Sequence, residues 1–147
     1  MEMTWDLEIM YKGYEDPKYK EDFEKVFELI KQINDLSTRL DINKAKECIE
    51  ESLLLEEKTE VLLSELFSYS SLRASTNVND YQAMGEMGKL QIALQDTVAA
   101  GVAFSKFLLE VDLDELANES ELIKTYLFKL KKEKDGASHM LSDKEEV

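Results

Sequence analysis

His139 is the only histidine in this 147-residue sequence, and Cys48 is the only cysteine. Those two facts bound the chemistry the chain can carry. A zinc hydrolase of the H-E-x-x-H type needs two imidazoles four residues apart on one helix face to hold the metal, with the intervening glutamate as general base. One histidine cannot supply the pair. His139 sits beside Ser138 and Met140 in a predicted loop after Gly136, where it reads as structural. A ferritin-like di-iron site would need two Glu-x-x-His pairs on facing helices, and the position three before His139 is Gly136. Cys48 falls on an apolar helical seam, so it reads as a small buried hydrophobe, and no neighbouring base is visible to make it a nucleophile. Catalytic, cofactor-binding and metal-ligating residues are therefore all assigned as none, and no cofactor is expected in this chain.

Arg73 and Arg39 are the only arginines among 18 basic residues. Arg73 stands near a run of turn-forming residues, and its planar fork suits a fixed pairing with Asp80 across that turn better than a contact to a peptide carboxylate. Tyr69 and Tyr81 flank the same turn and read as packing residues. The run Lys129, Lys131, Lys132, Lys134 is interrupted by Glu133 and Asp135; it reads as a solvated helix end and receives no function.

The elements that must position these residues are helical. Five Gly and one Pro are a poor supply of turns for an all-β chain, whereas Leu, Glu, Lys and Ala are abundant. The predicted fold is all-α, an antiparallel bundle of about four helices in a single domain spanning residues 1–147. Residues 1–16 are predicted as an extended lead-in whose large apolar groups, Trp5, Leu7, Ile9 and Tyr11, lie across the surface. Asp16 and Pro17 give a start signal for a helix over 17–40, with Phe23, Val26, Phe27, Ile30, Ile33, Leu36 and Leu40 on one face.

Asn43 is the expected cap of a second helix to about Ser75, with Cys48, Leu55, Leu62, Leu66 and Tyr69 along its seam. The stretch from Ser75 to Asp80 breaks the pattern, and Asn79 or Asp80 caps a third helix to about Leu109. Within it, Val98 to Phe104 is apolar on every side, which predicts cover all round and close backbone contact at Gly101. A short turn at Leu113–Leu116 and a fourth helix over 120–133 follow, carrying Leu122, Ile123, Tyr126, Leu127 and Leu130 and ended by Gly136. Ser142 to Glu146 resembles the opening turn of a further helix that begins the connection to a missing catalytic domain.

A formal net charge of −14 disfavours phosphate backbones and anionic membrane surfaces, so neither nucleic acid nor membrane is an expected partner. The lone cysteine and the acidic N-terminal stretch Glu2, Asp6, Glu8 fit a cytoplasmic chain without a leader.

Trp5-Asp6-Leu7 with Tyr11, then Phe67-Ser68-Tyr69-Ser70-Ser71-Leu72-Arg73 leading through Asn77 and Asp80, then Gly88-Lys89-Leu90-Gln91, then His139-Met140-Leu141-Ser142 with Glu145-Glu146 form an ordered set. In that order and spacing they resemble the N-terminal region of the oligoendopeptidase F family, relatives of the thimet-type zinc oligopeptidases. The resemblance implies a helical domain that packs against a zinc-bearing catalytic domain of the same polypeptide and helps enclose a cleft for oligopeptides. It implies a metallo-endopeptidase parent whose zinc and H-E-x-x-H helix lie downstream. This chain lacks that motif and is expected to be inactive alone; cut from its partner domain, it is expected to expose apolar surface and self-associate. The alternative is a free-standing helical interaction module that takes a partner helix in a groove. Metal analysis of the purified chain checks the central expectation: no stoichiometric zinc, and no difference on His139→Ala.

Overall fold

The computed structural model describes residues 10–145, with side chains described as far as Met140. The fold is all-α, with no strand among the described residues. Helix α1 spans Pro17–Ser37, a 3-10 turn follows at Ile42–Lys44, and α2 spans Ala45–Thr76. Then come α3 (Tyr81–Gln95), α4 (Val98–Leu108), α5 (Leu113–Glu119), α6 (Glu121–Thr125) and α7 (Leu127–Glu145). No single described helix is long and apolar enough to cross a membrane.

Two compact units divide the chain. The first takes the residues up to Gln32 together with Leu55–Asp96, and the second takes Ile33–Leu54 with the residues from Thr97 onward. Each has its own core. In the first unit Val26 and Ile30 of α1, Leu63 and Leu66 of α2, and Ala83 and Leu90 of α3 bury their side chains around a group of tyrosines. In the second, Ile49 and Leu53 meet Phe104, Leu108, Ile123 and Leu130, with α4 packed along α7 and α5 against both α6 and α7.

The start signals act as polar side chains that satisfy the unpaired N–H groups of a first helical turn. Asp16 accepts from the backbone N–H of Lys18 at 3.0 Å, and Asp80 caps α3 by accepting from Ala83 at 3.0 Å. Asn43 is not the cap expected of it. Asp41 takes that role for the 3-10 turn, accepting from the N–H of Asn43 at 2.9 Å, and α2 begins after it.

Three expectations about helix continuity are corrected. The long third helix is two, broken at Asp96 and Thr97, residue types of low helix propensity, where the Asp96 N–H turns back to Ala93 O at 3.2 Å. The expected helix over 120–133 is likewise broken at Tyr126, whose φ of −101° and ψ of 13° lie outside the helical well. Gly136 ends nothing. It lacks the positive φ a terminating glycine uses, and α7 continues through it while Leu130 and Ala137 stay buried on one side.

The all-round apolar reading of residues 98–104 also fails. Ala100 and Phe104 are buried, but Val98 is 61% exposed and Gly101 faces open space, with nothing within 4 Å of where a Cβ would lie. Phe27 departs from its expected buried face as well, at 44% exposed. Because Gly101 carries the backbone-entropy cost of a helical glycine without a packing reason, Gly101→Ala is expected to stabilise the fold by about 1 kcal/mol and Gly101→Leu by a similar amount. Urea unfolding of the two variants measures it.

Candidate functional site

The densest set of polar and aromatic side chains lies in the first unit, where the chain enters α1 and where α2 turns into α3. Gly13 makes the entry possible. Its φ of +155° is strained for L residues, and its carbonyl accepts from the Asp16 N–H at 3.2 Å, closing a turn over Tyr14 and Glu15 that leads into α1. Both tyrosines are thereby buried rather than laid across the surface as the sequence suggests for Tyr11; Trp5, Leu7 and Ile9 lie outside the described residues.

Tyr11, Tyr14, Tyr19 and Tyr69 pack edge to face or tilted, with ring centroids 5.2 Å apart for Tyr11 and Tyr19, 5.1 Å for Tyr11 and Tyr69, and 4.9 Å for Tyr14 and Tyr19. Such arrangements set the positive edge of one ring against the negative face of another. Each hydroxyl has a partner. Tyr11 donates to Asp22 at 2.8 Å, Tyr19 donates to Glu86 at 3.0 Å, and Tyr14 shares a 2.9 Å bond with the fully buried Ser70. Tyr69 accepts from Arg73 at 3.3 Å.

Arg73 organises the cluster's edge. Its Nε donates to Asp80 Oδ2 at 2.9 Å, as the fork geometry predicts, and its guanidinium carbon lies 4.3 Å from the centre of the Tyr14 ring. Burial works against its charge, but the bonds to Tyr69 and Asp80 more than offset that and hold its pKa above the ordinary arginine value. Asp80 in turn uses its other oxygen to cap α3. One carboxylate thus serves the ion pair and the helix start together.

Beside the cluster an open groove of about 400 Å³ is bordered by Tyr14, Tyr19, Phe23, Gln82, Glu86 and Lys89. Two ion pairs stand at its rim: Lys89 lies 3.1 Å from Glu86, and Lys20 3.1 Å from Glu15. Desolvation by burial, reinforced by the hydrogen bonds to Asp22 and Glu86, pushes Tyr11 and Tyr19 far above the ordinary tyrosine pKa; burial also raises Tyr14. These phenols stay neutral and serve as hydrogen-bond donors and packing surface, not as bases.

The other residues singled out in the sequence stay apart from this cluster. Cys48 is buried on α2, as its seam position predicts. His139 lies on α7 rather than in a loop, exposed and 3.6 Å from Asp135. Lys131 pairs with Asp114 at 2.7 Å, while Lys134 donates to the carbonyl of Val111 at 2.6 Å and ties α7 to the turn between α4 and α5. Tyr81 is not the packing residue expected, being 74% exposed. Among the described residues no group of three His, Cys, Asp or Glu side chains could hold a metal ion. No family model, curated protein or solved structure matches this chain.

The raised tyrosine pKa values carry a pH consequence. A group held protonated in the fold contributes fully below its unfolded value, near pH 10, and that contribution is lost as pH rises and the unfolded chain releases its proton first. Urea midpoints are expected to be level to about pH 9 and to fall above about pH 10, less steeply in Tyr19→Phe. Separately, Arg73→Lys cannot reach Asp80 and Tyr69 together and is expected to cost about 1–3 kcal/mol at neutral pH, read from the same unfolding curves.

Proposed function

We propose that this chain is the non-catalytic N-terminal helical domain of an oligoendopeptidase F-like zinc metallopeptidase, helping to enclose the peptide cleft of the parent enzyme. One observation carries the reading. Two of the segments on which the resemblance rests, the Tyr11 region and the run from Phe67 to Arg73 with Asp80, meet in one cluster: Tyr11 packs on Tyr69 at 5.1 Å, and Arg73 pairs with Asp80 at 2.9 Å. A third, around Lys89, borders the adjacent groove. A set of residues that is scattered in sequence yet shared in space is what a fold-bearing motif should be. In this reading the zinc, the general base and the scissile peptide belong to the parent's catalytic domain in the cytoplasm, and this chain supplies a wall that admits short, unfolded peptides.

Exposed apolar residues on α3, Tyr81, Met84 and Ile92, favour the second reading, a free-standing interaction module. Complementation separates the two. An oligoendopeptidase F-type catalytic domain stripped of its own N-terminal helices is expected to regain cleavage of a short fluorogenic peptide when the purified chain is added, while the chain alone cleaves nothing. Absence of both binding and rescue would sink the peptidase reading.

A further inference from the structure

We infer that the groove between the start of α1 and α3 binds the cationic side chain of a peptide, an arginine by preference, with Glu86 as the anchoring carboxylate. The inference stands apart from the peptidase reading, because it concerns what this chain binds by itself. The groove holds about 400 Å³, within the range of about 300–1,000 Å³ that sites for small ligands occupy. Tyr14, Tyr19 and Phe23 give it an aromatic wall, which suits the methylene stem of a long side chain. Its charge is acidic, since Glu15, Glu24 and Glu86 line it against Lys20 and Lys89.

Glu15 and Glu24 are exposed, whereas the side chain of Glu86 is only 13% exposed. The Tyr19 hydroxyl donates to its Oε2 at 3.0 Å, which fixes the carboxylate against the aromatic wall. Its other oxygen, Oε1, meets the Lys89 ammonium at 3.1 Å. That lysine is 63% exposed, and such a pair three residues apart on a helix is worth little, so an incoming cation displaces it at small cost. With Lys20 taken by Glu15, Glu24 remains as a carboxylate in excess.

These features select the ligand by charge and shape. An anion would meet three carboxylates, and a neutral apolar group would cover Glu86 without giving its charge a partner. A guanidinium offers donors on separate nitrogens to more than one carboxylate and a flat face to a ring, whereas an ammonium concentrates its charge at one point. The same unit already holds one guanidinium in this way: Arg73 lies 2.9 Å from Asp80 and 4.3 Å from the centre of the Tyr14 ring. The net charge of −14 adds a long-range field that draws cationic peptides toward the chain and fades as salt rises.

Titration of the isotope-labelled chain with a capped glycyl-arginyl-glycine peptide, followed by amide NMR, tests the inference. Shifts are expected to cluster at Tyr19, Gln82, Glu86 and Lys89. The same peptide with citrulline, the neutral isostere of arginine, is expected to bind about tenfold or more weakly. Glu86→Gln is expected to weaken arginine binding by a similar factor while keeping an acceptor for the Tyr19 hydroxyl. Glu24→Gln, at an exposed position where folding is not at stake, is expected to weaken it about threefold. Lys89→Ala removes the competing ammonium and is expected to tighten binding, whereas Lys106→Ala, the same change of charge on the exposed side of α4, leaves it unchanged. No shifts up to about 10 mM peptide, shifts scattered over acidic residues of both units, equal binding of the citrulline peptide, or equal responses to Lys106→Ala and Lys89→Ala would each overturn the inference.

Discussion

The first unit depends on a single guanidinium. Arg73 stands where α2 ends, and its fork reaches forward to Asp80, back to Tyr69 and flat against Tyr14. Asp80 caps α3 with one carboxylate oxygen while Arg73 holds the other, so the end of α2 and the start of α3 share a charge pair that is mostly shielded from water. A lysine would deliver the charge without the geometry, since an ammonium cannot present separated donors to two partners and a planar face to a third. Around that point the tyrosines fill the core with large rings whose hydroxyls all end on partners, so burial leaves none of those groups unsatisfied.

The second unit is fastened by smaller devices. Ser120 accepts from the Ile123 N–H at 3.3 Å to begin α6 and donates to Glu50 of α2 at 2.7 Å, so one hydroxyl caps a helix and anchors it to another. Lys134 closes on the carbonyl of Val111, in the turn between α4 and α5, and so fastens α7 to that turn. These contacts join short helices that could not persist alone, because nucleation is costly and packing supplies most of the stability of a five- or seven-residue helix.

Helix existence was legible from periodicity, and the starts of α1 and α3 from Asp16 and Asp80, because a cap is a local event written in neighbouring residues. Arg73 and Asp80 were legible for the same reason: seven residues separate them. Tyr14, Tyr19 and Ser70 were not, since the Tyr14–Ser70 bond spans 56 positions and nothing local marks it; the one available hint was Gly13 between two tyrosines. The breaks at Asp96 and Tyr126 were missed because a helical pattern of apolar residues can continue in register across a break. Gly136 and Gly101 misled in opposite ways: a glycine signals a turn only when its φ is positive and a close approach only when something approaches, and neither condition is visible in a sequence.

Each unit is assembled from two stretches of chain, with the residues of one interleaved between those of the other. During synthesis from the N-terminus, α1 and the residues before it emerge with their tyrosines unable to close a core until Tyr69, Arg73 and Leu90 have followed. The stretch around Ile49 and Leu53 waits longer, for Leu130 of α7. Apolar faces that are covered in the finished fold therefore stay open until the second stretch of each unit has been made, and each core needs one long loop closed before it is dry. Such a chain gains from abundant acidic side chains during that interval, because like-charge repulsion between nascent copies keeps the waiting faces apart.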